Sequence, residues 1–149
     1  MQKSTSPRSA WLGFLRAHAV LVGEVERRLK SKGLPALETY DVLWALEQAP
    51  GQKLRMHELS DAVVVTRSNL TRLVDRLEMQ KLVERERDPD DRRGAFAVLS
   101  TAGRRLRREM WPTYEAAINE LFDTQLSGSE ARLLRDVLTR LTKEATPGR

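Results

Sequence analysis

The chain has 149 residues, of which 40% are hydrophobic and 32% are charged, a balance typical of one folded domain. It contains no cysteine, which excludes disulfides, thiolate metal sites and thiol-based redox sensing. The formal net charge of +5 favours a polyanionic partner such as a nucleic acid. Since no segment is apolar enough to cross a bilayer, we expect no membrane association and a cytoplasmic location.

Helical periodicity dominates the first fifty residues. Apolar residues over 10–32 recur at three- and four-residue steps on a broad face, which predicts a helix that packs against two partners. Gly33 and Pro35 end that helix. A second helix is predicted over 37–48, with four side chains facing inward. These are Tyr40, Leu43, Trp44 and Leu46.

Three shorter elements follow, and after them the spacing of apolar residues is no longer helical. A short helix over 56–62 and a tight connection over 63–65 precede a longer helix over 66–80, with Thr66 as its N-cap. Residues 82–87 and 95–99 predict a β-hairpin, because the segment between them is rich in the turn formers Pro, Asp and Gly.

The C-terminal third is again helical. Ser100 is predicted to cap a helix over about 101–123, which Pro112 should kink or split. A last helix is predicted over about 129–143, with leucine and valine side chains on one face. Wide apolar faces at both ends exceed what one subunit can cover, which favours a two-fold dimer.

The helix over 66–80 has a face suited to DNA. In a helix-turn-helix the second helix enters the major groove, where arginine can bind guanine through two hydrogen bonds. Four apolar side chains share one side of this helix, and polar and basic side chains lie opposite. The residues predicted to face the major groove are Thr66, Arg67, Ser68, Asn69, Thr71 and Arg72, with Arg76 directed to phosphate. Any amphipathic surface helix has such a polar face, so the hairpin that follows is what favours DNA binding.

Two arginines lie at the tip of the predicted hairpin. Arginine suits a narrow minor groove, where the negative potential is concentrated. We expect Arg92 or Arg93 to enter that groove, with Asp91 orienting Arg93 through a charge-assisted hydrogen bond. The alternative is a solvated loop in which Asp88, Asp90 and Asp91 neutralise the arginines.

Residues 57–103 resemble the MarR family of winged-helix regulators. The matching segments are TRLVDRLE (71–78), LVER (82–85) and DPDDRR (88–93), followed by Leu99-Ser100 and Gly103 in the family's order and spacing. Lys81 and Val64 stand where the family, or helix-turn-helix proteins generally, often have glycine. The resemblance implies a mainly α fold with a small β-hairpin wing, a winged helix-turn-helix with N- and C-terminal dimerisation helices. It divides one compact subunit into residues 1–35 (dimerisation), 36–100 (DNA binding) and 101–149 (dimerisation).

The resemblance also implies a function. It indicates a homodimeric transcriptional regulator that binds a pseudo-palindromic operator in double-stranded DNA, often a repressor released by a small phenolic or aromatic ligand. No cofactor is expected, and no histidine cluster has metal-ligand spacing. Candidate ligand-pocket residues are Trp11, Arg16, His18, Tyr40, Trp44, Trp111 and Tyr114. Ordinary core packing is the alternative for each of these aromatic residues.

The sequence leaves other functions open. The chain could be a ligand-independent regulator or an activator, or a winged-helix adaptor that contacts proteins. An enzyme is disfavoured, because the sequence has no nucleophile elbow, phosphate-binding glycine loop or HExxH motif.

Overall fold

A computed structural model describes residues 6–146. Within these residues the chain forms six α-helices and a small antiparallel sheet. The elements are α1 (Pro7–Ser31), α2 (Leu37–Gln48), β1 (Lys53–Arg55), α3 (Met56–Ala62), α4 (Arg67–Met79), β2 (Val83–Arg87), β3 (Ala95–Leu99), α5 (Thr101–Leu121) and α6 (Gly128–Ala145). Short 3-10 turns occupy Pro50–Gln52 and Asp123–Gln125.

The predicted helix bounds are confirmed for α2 and α3, and they shift slightly elsewhere. Helix α1 begins at Pro7, three residues before the predicted start, because proline fits the first turn of a helix. Helix α6 begins one residue early, where Ser127 and Glu130 cap each other reciprocally. The predicted cap of α5 is confirmed, since the Gly103 N–H donates to Ser100 Oγ at 2.9 Å.

Helix α5 runs through Pro112 without a break, so the predicted split is wrong. Proline removes one N–H donor and leaves the carbonyl four residues earlier, at Arg108, without its helical partner. Both Pro112 and Arg108 lie on the exposed side of the helix, where water can satisfy that carbonyl.

The sheet has three strands in the order β1-β3-β2, all antiparallel. The hairpin predicted from the sequence is confirmed as β2 and β3, with Val83 opposite Leu99 and Arg87 opposite Ala95. Strand β1 was not predicted, because three residues are too few to show a period of two. It pairs through Leu54, which lies opposite Ala97 on β3.

The hydrophobic core lies between α2, α3, α4 and the sheet. Leu43 and Leu46 of α2 and Leu59 of α3 are fully buried there. The buried face of α4 contributes four side chains: Leu70, Leu73, Val74 and Leu77. Trp44, predicted to face inward, is instead 42% exposed, because it lies at the edge of α2 and not on its core stripe. This core holds α4 with one face in the protein and the other in solvent.

The contacts divide the chain into two units, one ending at Tyr114 and the other beginning at Glu115. In the first unit, residues 6–20 are all exposed, including Trp11 and Phe14 at 57% and 46%. In the second, α6 has no buried residue, and Leu133 is 66% exposed. Each of the two units therefore presents apolar side chains to solvent. No helix within residues 6–146 has the length and hydropathy that a bilayer span requires.

Candidate nucleic-acid interface

Helices α3 and α4 are joined by a turn over 63–66. Val63 anchors the turn in the core, while Val64 is 91% exposed. No residue of this turn has a positive φ angle, so valine at position 64 needs no glycine-like backbone. Thr66 occupies the predicted N-cap position, and its carbonyl accepts the Leu70 N–H at 2.8 Å. Its hydroxyl makes no capping hydrogen bond, so only the position of the cap is confirmed.

Helix α4 exposes the whole face that the sequence assigns to DNA. Its apolar residues are buried, and the predicted contact residues are solvent-exposed without exception. These are Thr66, Arg67, Ser68, Asn69, Thr71, Arg72 and Arg76. The structure thus brings them together on one surface.

The cations of this face differ in whether they have an anionic partner. No carboxylate within residues 6–146 pairs with Arg67 or Arg72, so both guanidinium groups are available to a ligand. Arg76 is held differently, because its Nη2 lies 3.1 Å from Glu38 Oε1 at the start of α2.

Two carboxylates on α4 are neutralised from the sheet. Arg85 of β2 places Nη2 2.7 Å from Asp75 Oδ1 and Nε 3.5 Å from Glu78 Oε2. These pairs reduce the negative charge beside the exposed face of α4 and connect the helix to the wing strand. Residues 66–93 hold eight basic and seven acidic residues, and this near balance hides the positive surface in the sequence.

The root of the hairpin is fixed by a buried carboxylate. Asp88 accepts a hydrogen bond from Arg55 Nε at 2.6 Å and another from the Asp90 N–H at 2.9 Å. The Asp88 side chain is 1% exposed. The Arg55 guanidinium, together with the Asp90 N–H, lowers the pKa of the Asp88 carboxyl below its ordinary value. Asp88 therefore has a structural role and does not neutralise the arginines at the tip.

Asp91 forms a hydrogen bond with the backbone of Arg93. Its Oδ1 accepts the backbone N–H of Arg93 at 2.9 Å, not a guanidinium N–H. This is the local i to i+2 bond that aspartate commonly forms in turns. The carboxylate of Asp91 therefore contacts the Arg93 backbone, and the guanidinium groups of Arg92 and Arg93 both remain exposed.

The end of α4 sets where the wing begins. The Leu82 N–H bonds to the Leu77 carbonyl and the Lys81 N–H to the Glu78 carbonyl, the pattern of a Schellman motif. That motif needs a left-handed residue, and Lys81 has φ 59°. The family's frequent glycine at this position thus has a physical reason here. Lys81 supplies the required conformation at the cost of strain.

The start of α5 packs against the same bend. A Cβ atom on Gly103 would lie 2.1 Å from the Leu82 carbonyl oxygen, so only glycine fits. The Ser100 hydroxyl also donates to the Lys81 carbonyl at 2.8 Å. Helix α4, the first wing strand and α5 are therefore joined at one point.

The candidate ligand-pocket residues fall into two groups. Tyr40 lies at ring-centroid distances of 6.4 Å from Trp44, 6.0 Å from Trp111 and 5.0 Å from Tyr114. We call these four residues the ring cluster. The second group lies on the exposed part of α1 and consists of Trp11, Arg16 and His18, with Phe14 between the two rings. The structure therefore brings the ring cluster together, and the group on α1 has no ring contact with it among the described residues.

Charged residues border the ring cluster. Arg107 lies 5.2 Å from the Trp44 ring centroid and forms an ion pair with Glu47 at 2.5 Å. Burial, followed by repulsion from Glu26 and Glu38, raises the pKa of the Asp41 carboxyl to about 6. Asp41 and Arg107 were not predicted from the sequence. No local sequence pattern indicates that Asp41 is buried. Glu47, the partner of Arg107, lies sixty residues away in the chain.

No three histidine or acidic side chains in the part of the chain described here are grouped so as to hold a metal ion.

Comparison with known proteins decides the family. The sequence model of the MarR family matches residues 32–94, from the end of α1 to the wing turn. A MarR family transcriptional regulator from Rhodococcus sp. RHA1 is 30% identical, with 93% of this chain and 96% of that chain covered and a TM-score of 0.73. The chain belongs to the MarR family.

Two further solved structures are similar to this chain. Sco3205, a MarR family transcriptional regulator from Streptomyces coelicolor solved in complex with DNA, is 28% identical with a TM-score of 0.88, covering 95% of this chain and 88% of that one. CouR from Rhodococcus jostii RHA1, bound to p-coumaroyl-CoA, is 31% identical with a TM-score of 0.73, covering 93% and 94%.

MarR family membership confirms the predicted fold class and the general function. The chain is a DNA-binding transcriptional regulator with a winged helix-turn-helix, and it is not an enzyme. The MarR-type wing is the β2–β3 hairpin, and the second helix of the helix-turn-helix is α4.

Proposed function

We propose that this MarR-family regulator is a homodimeric repressor that binds a pseudo-palindromic operator in the cytoplasm and is released by a small aromatic or phenolic ligand. The observation that carries the proposal is the exposed face of α4, where Arg67 and Arg72 have no acidic partner among residues 6–146. Arg92 and Arg93 on the wing are exposed in the same way. The similar regulator Sco3205, solved in complex with DNA, supports DNA binding by this fold.

In this proposal α4 enters the major groove and the wing enters the adjacent minor groove. Ser68, Asn69 and Arg72 approach base edges, because they lie in the first half of the exposed face. Thr66, Arg67 and Thr71 flank them, and Arg76 contacts phosphate. Arg93 enters the minor groove, aided by Asp91, which holds the backbone of the wing tip.

Exposed apolar side chains on the terminal helices support a dimer. Trp11, Phe14 and Leu15 on α1 are each more than 40% exposed. On α6, Leu134 and Leu138 line an open apolar groove of about 670 Å³. Contiguous apolar surface of this kind marks an interaction site, and a second copy would cover it. Two recognition helices then lie about 34–36 Å apart, one turn of DNA.

The ring cluster is the proposed effector site. Aromatic and cationic side chains meet there, and CouR binds an aromatic acyl thioester on the same fold. Trp11, Arg16 and His18 are not part of the cluster within one subunit. Regulation without a ligand, or activation, is the alternative for this part of the proposal.

Selection of bound sequences from genomic DNA tests the main proposal. We expect a pseudo-palindromic site bound by a dimer, with affinity that falls steeply as salt concentration rises. Arg72→Ala should cost about 1–3 kcal/mol of operator binding and relax the preference at one base pair per half-site. Arg93→Ala should weaken binding and leave the dimer intact. Weak, salt-insensitive binding without sequence preference would favour a protein-interaction adaptor instead.

A further inference from the structure

An open cleft lies at the base of the wing, lined by Arg87, Asp88, Pro89 and Arg92, with a volume of about 580 Å³. Asp88 contributes no free negative charge to it, because its carboxylate is bound to Arg55 at 2.6 Å. The guanidinium groups of Arg87 and Arg92 have no ion-pair partner within residues 6–146. The cleft is therefore positively charged, and its cations are free to bind an anion.

Arg87 also lies in a defined place relative to α4. It is the last residue of β2, and strand alternation places it on the same face as Arg85, about 7 Å away. Arg85 reaches α4 through Asp75 and Glu78. Ala95, which lies opposite Arg87 on β3, carries only a methyl group that cannot neutralise it. Arg87 thus stands between the recognition helix and the wing tip.

The position of Arg87 matters because of the geometry of DNA. The major and minor grooves are separated by one sugar-phosphate strand. A protein that puts a helix in one groove and a loop in the next must straddle that strand. The part of this chain that spans the gap is the end of β2, where Arg87 lies.

We propose that Arg87 and Arg92 together bind a phosphate of the backbone strand that separates the two grooves. Two guanidinium groups can clamp one phosphate through several charge-assisted hydrogen bonds. This divides the wing arginines by role: Arg92 holds the backbone with Arg87, and Arg93 enters the groove. The inference rests on the proposed function, since it requires α4 and the wing to occupy adjacent grooves.

The test measures the affinity of Arg87→Ala, Arg87→Gln and the parent for two duplexes of roughly 30 base pairs, long enough for two half-sites. One duplex carries the selected site and the other a scrambled sequence of the same composition. Titration over several salt concentrations gives the slope of log K against log salt. Lys30→Ala, which removes an exposed cation from α1, is the charge-matched control.

We expect Arg87→Ala to weaken both duplexes by the same factor, roughly ten- to a hundredfold, and to reduce the salt slope by about 1.8 per dimer, 0.9 for each lost contact. Lys30→Ala should leave the slope unchanged. If both Arg87 variants show the same slope as Lys30→Ala, the inference is overturned and the proposed function is not affected. A loss of affinity confined to the selected duplex also overturns the inference. If the parent itself binds neither duplex, the proposed function fails together with the inference.

Discussion

Arg76 on the recognition helix α4 donates to Glu38 on α2 across 3.1 Å, and the two side chains remain 59% and 42% exposed. The pair joins the DNA-facing helix to the helix that carries Tyr40 and Trp44. It also holds the arginine assigned to phosphate against a carboxylate in the free protein. If Arg76 binds phosphate as proposed, DNA and Glu38 compete for the same guanidinium group.

Glu38→Gln should strengthen DNA binding about twofold to fivefold per subunit, because Arg76 no longer leaves an ion pair to reach phosphate. Fluorescence anisotropy on the selected duplex measures the change. Glu109→Gln, which removes an exposed carboxylate from α5, provides the control. In the background of Arg76→Ala, Glu38→Gln should no longer strengthen DNA binding. An equal gain in affinity in that background would show that the ion pair with Arg76 is not the source of the gain.

Gly103→Ala should destabilise the fold by about 1–3 kcal/mol or more, because the added methyl group meets the Leu82 carbonyl oxygen at 2.1 Å and backbone must move. Urea denaturation at fixed protein concentration measures the free energy of unfolding. In Gly128→Ala, the nearest atom to the new methyl group is 3.7 Å away, so that variant should be neutral or slightly stabilised. Equal effects of the two substitutions would contradict the close packing at the wing base.

Lys81→Gly should stabilise the protein by up to about 1 kcal/mol. Lysine is strained in the left-handed conformation at φ 59°, and glycine adopts that conformation without strain. The gain is reduced by the greater freedom of glycine in the unfolded chain. Gln80→Gly is the matched control. Because Gln80 has φ −82°, this substitution relieves no backbone strain but carries the same entropic cost in the unfolded chain. Thermal unfolding of the two variants should move in opposite directions.

Asp41→Asn should stabilise the protein at neutral pH by about 1–2 kcal/mol. In the folded state the pKa of Asp41 is raised to about 6 by burial and by Glu26 and Glu38, above its ordinary value of 3.8. The folded chain thus binds an extra proton between about pH 4 and 6, so the penalty of the charged carboxylate fades as pH falls through that window. The advantage of the asparagine variant should shrink accordingly from pH 7.5 to pH 4. A constant difference between variant and parent across that range would contradict the burial of this carboxyl.

Local sequence signals account for much of this fold. Pro35 and Pro50 bracket α2, the apolar stripe from Leu70 to Leu77 orients α4, and the turn formers after Arg87 mark the hairpin. These signals act between residues that are close in the chain, so a single sequence displays them. The exposed face of α4 was predictable for the same reason.

Contacts between distant residues account for what sequence analysis missed. Strand β1 exists because Leu54 meets Ala97, more than forty residues later. The charge balance of the interface depends on Arg85 reaching Asp75, and the wing root on Arg55 reaching Asp88. Most of the predicted ligand residues were chosen for their aromatic side chains, which could not tell the clustered Trp111 from the solvent-exposed Trp11.

The anchoring of Asp88 by Arg55 separates the shape of the hairpin from the chemistry of its tip. Residues 90–93 add no side chain to the interior, so they can be exchanged while the root keeps its geometry. In the proposed function, substitutions at these four positions would therefore change the groups that the wing tip presents to DNA without a compensating change in the scaffold.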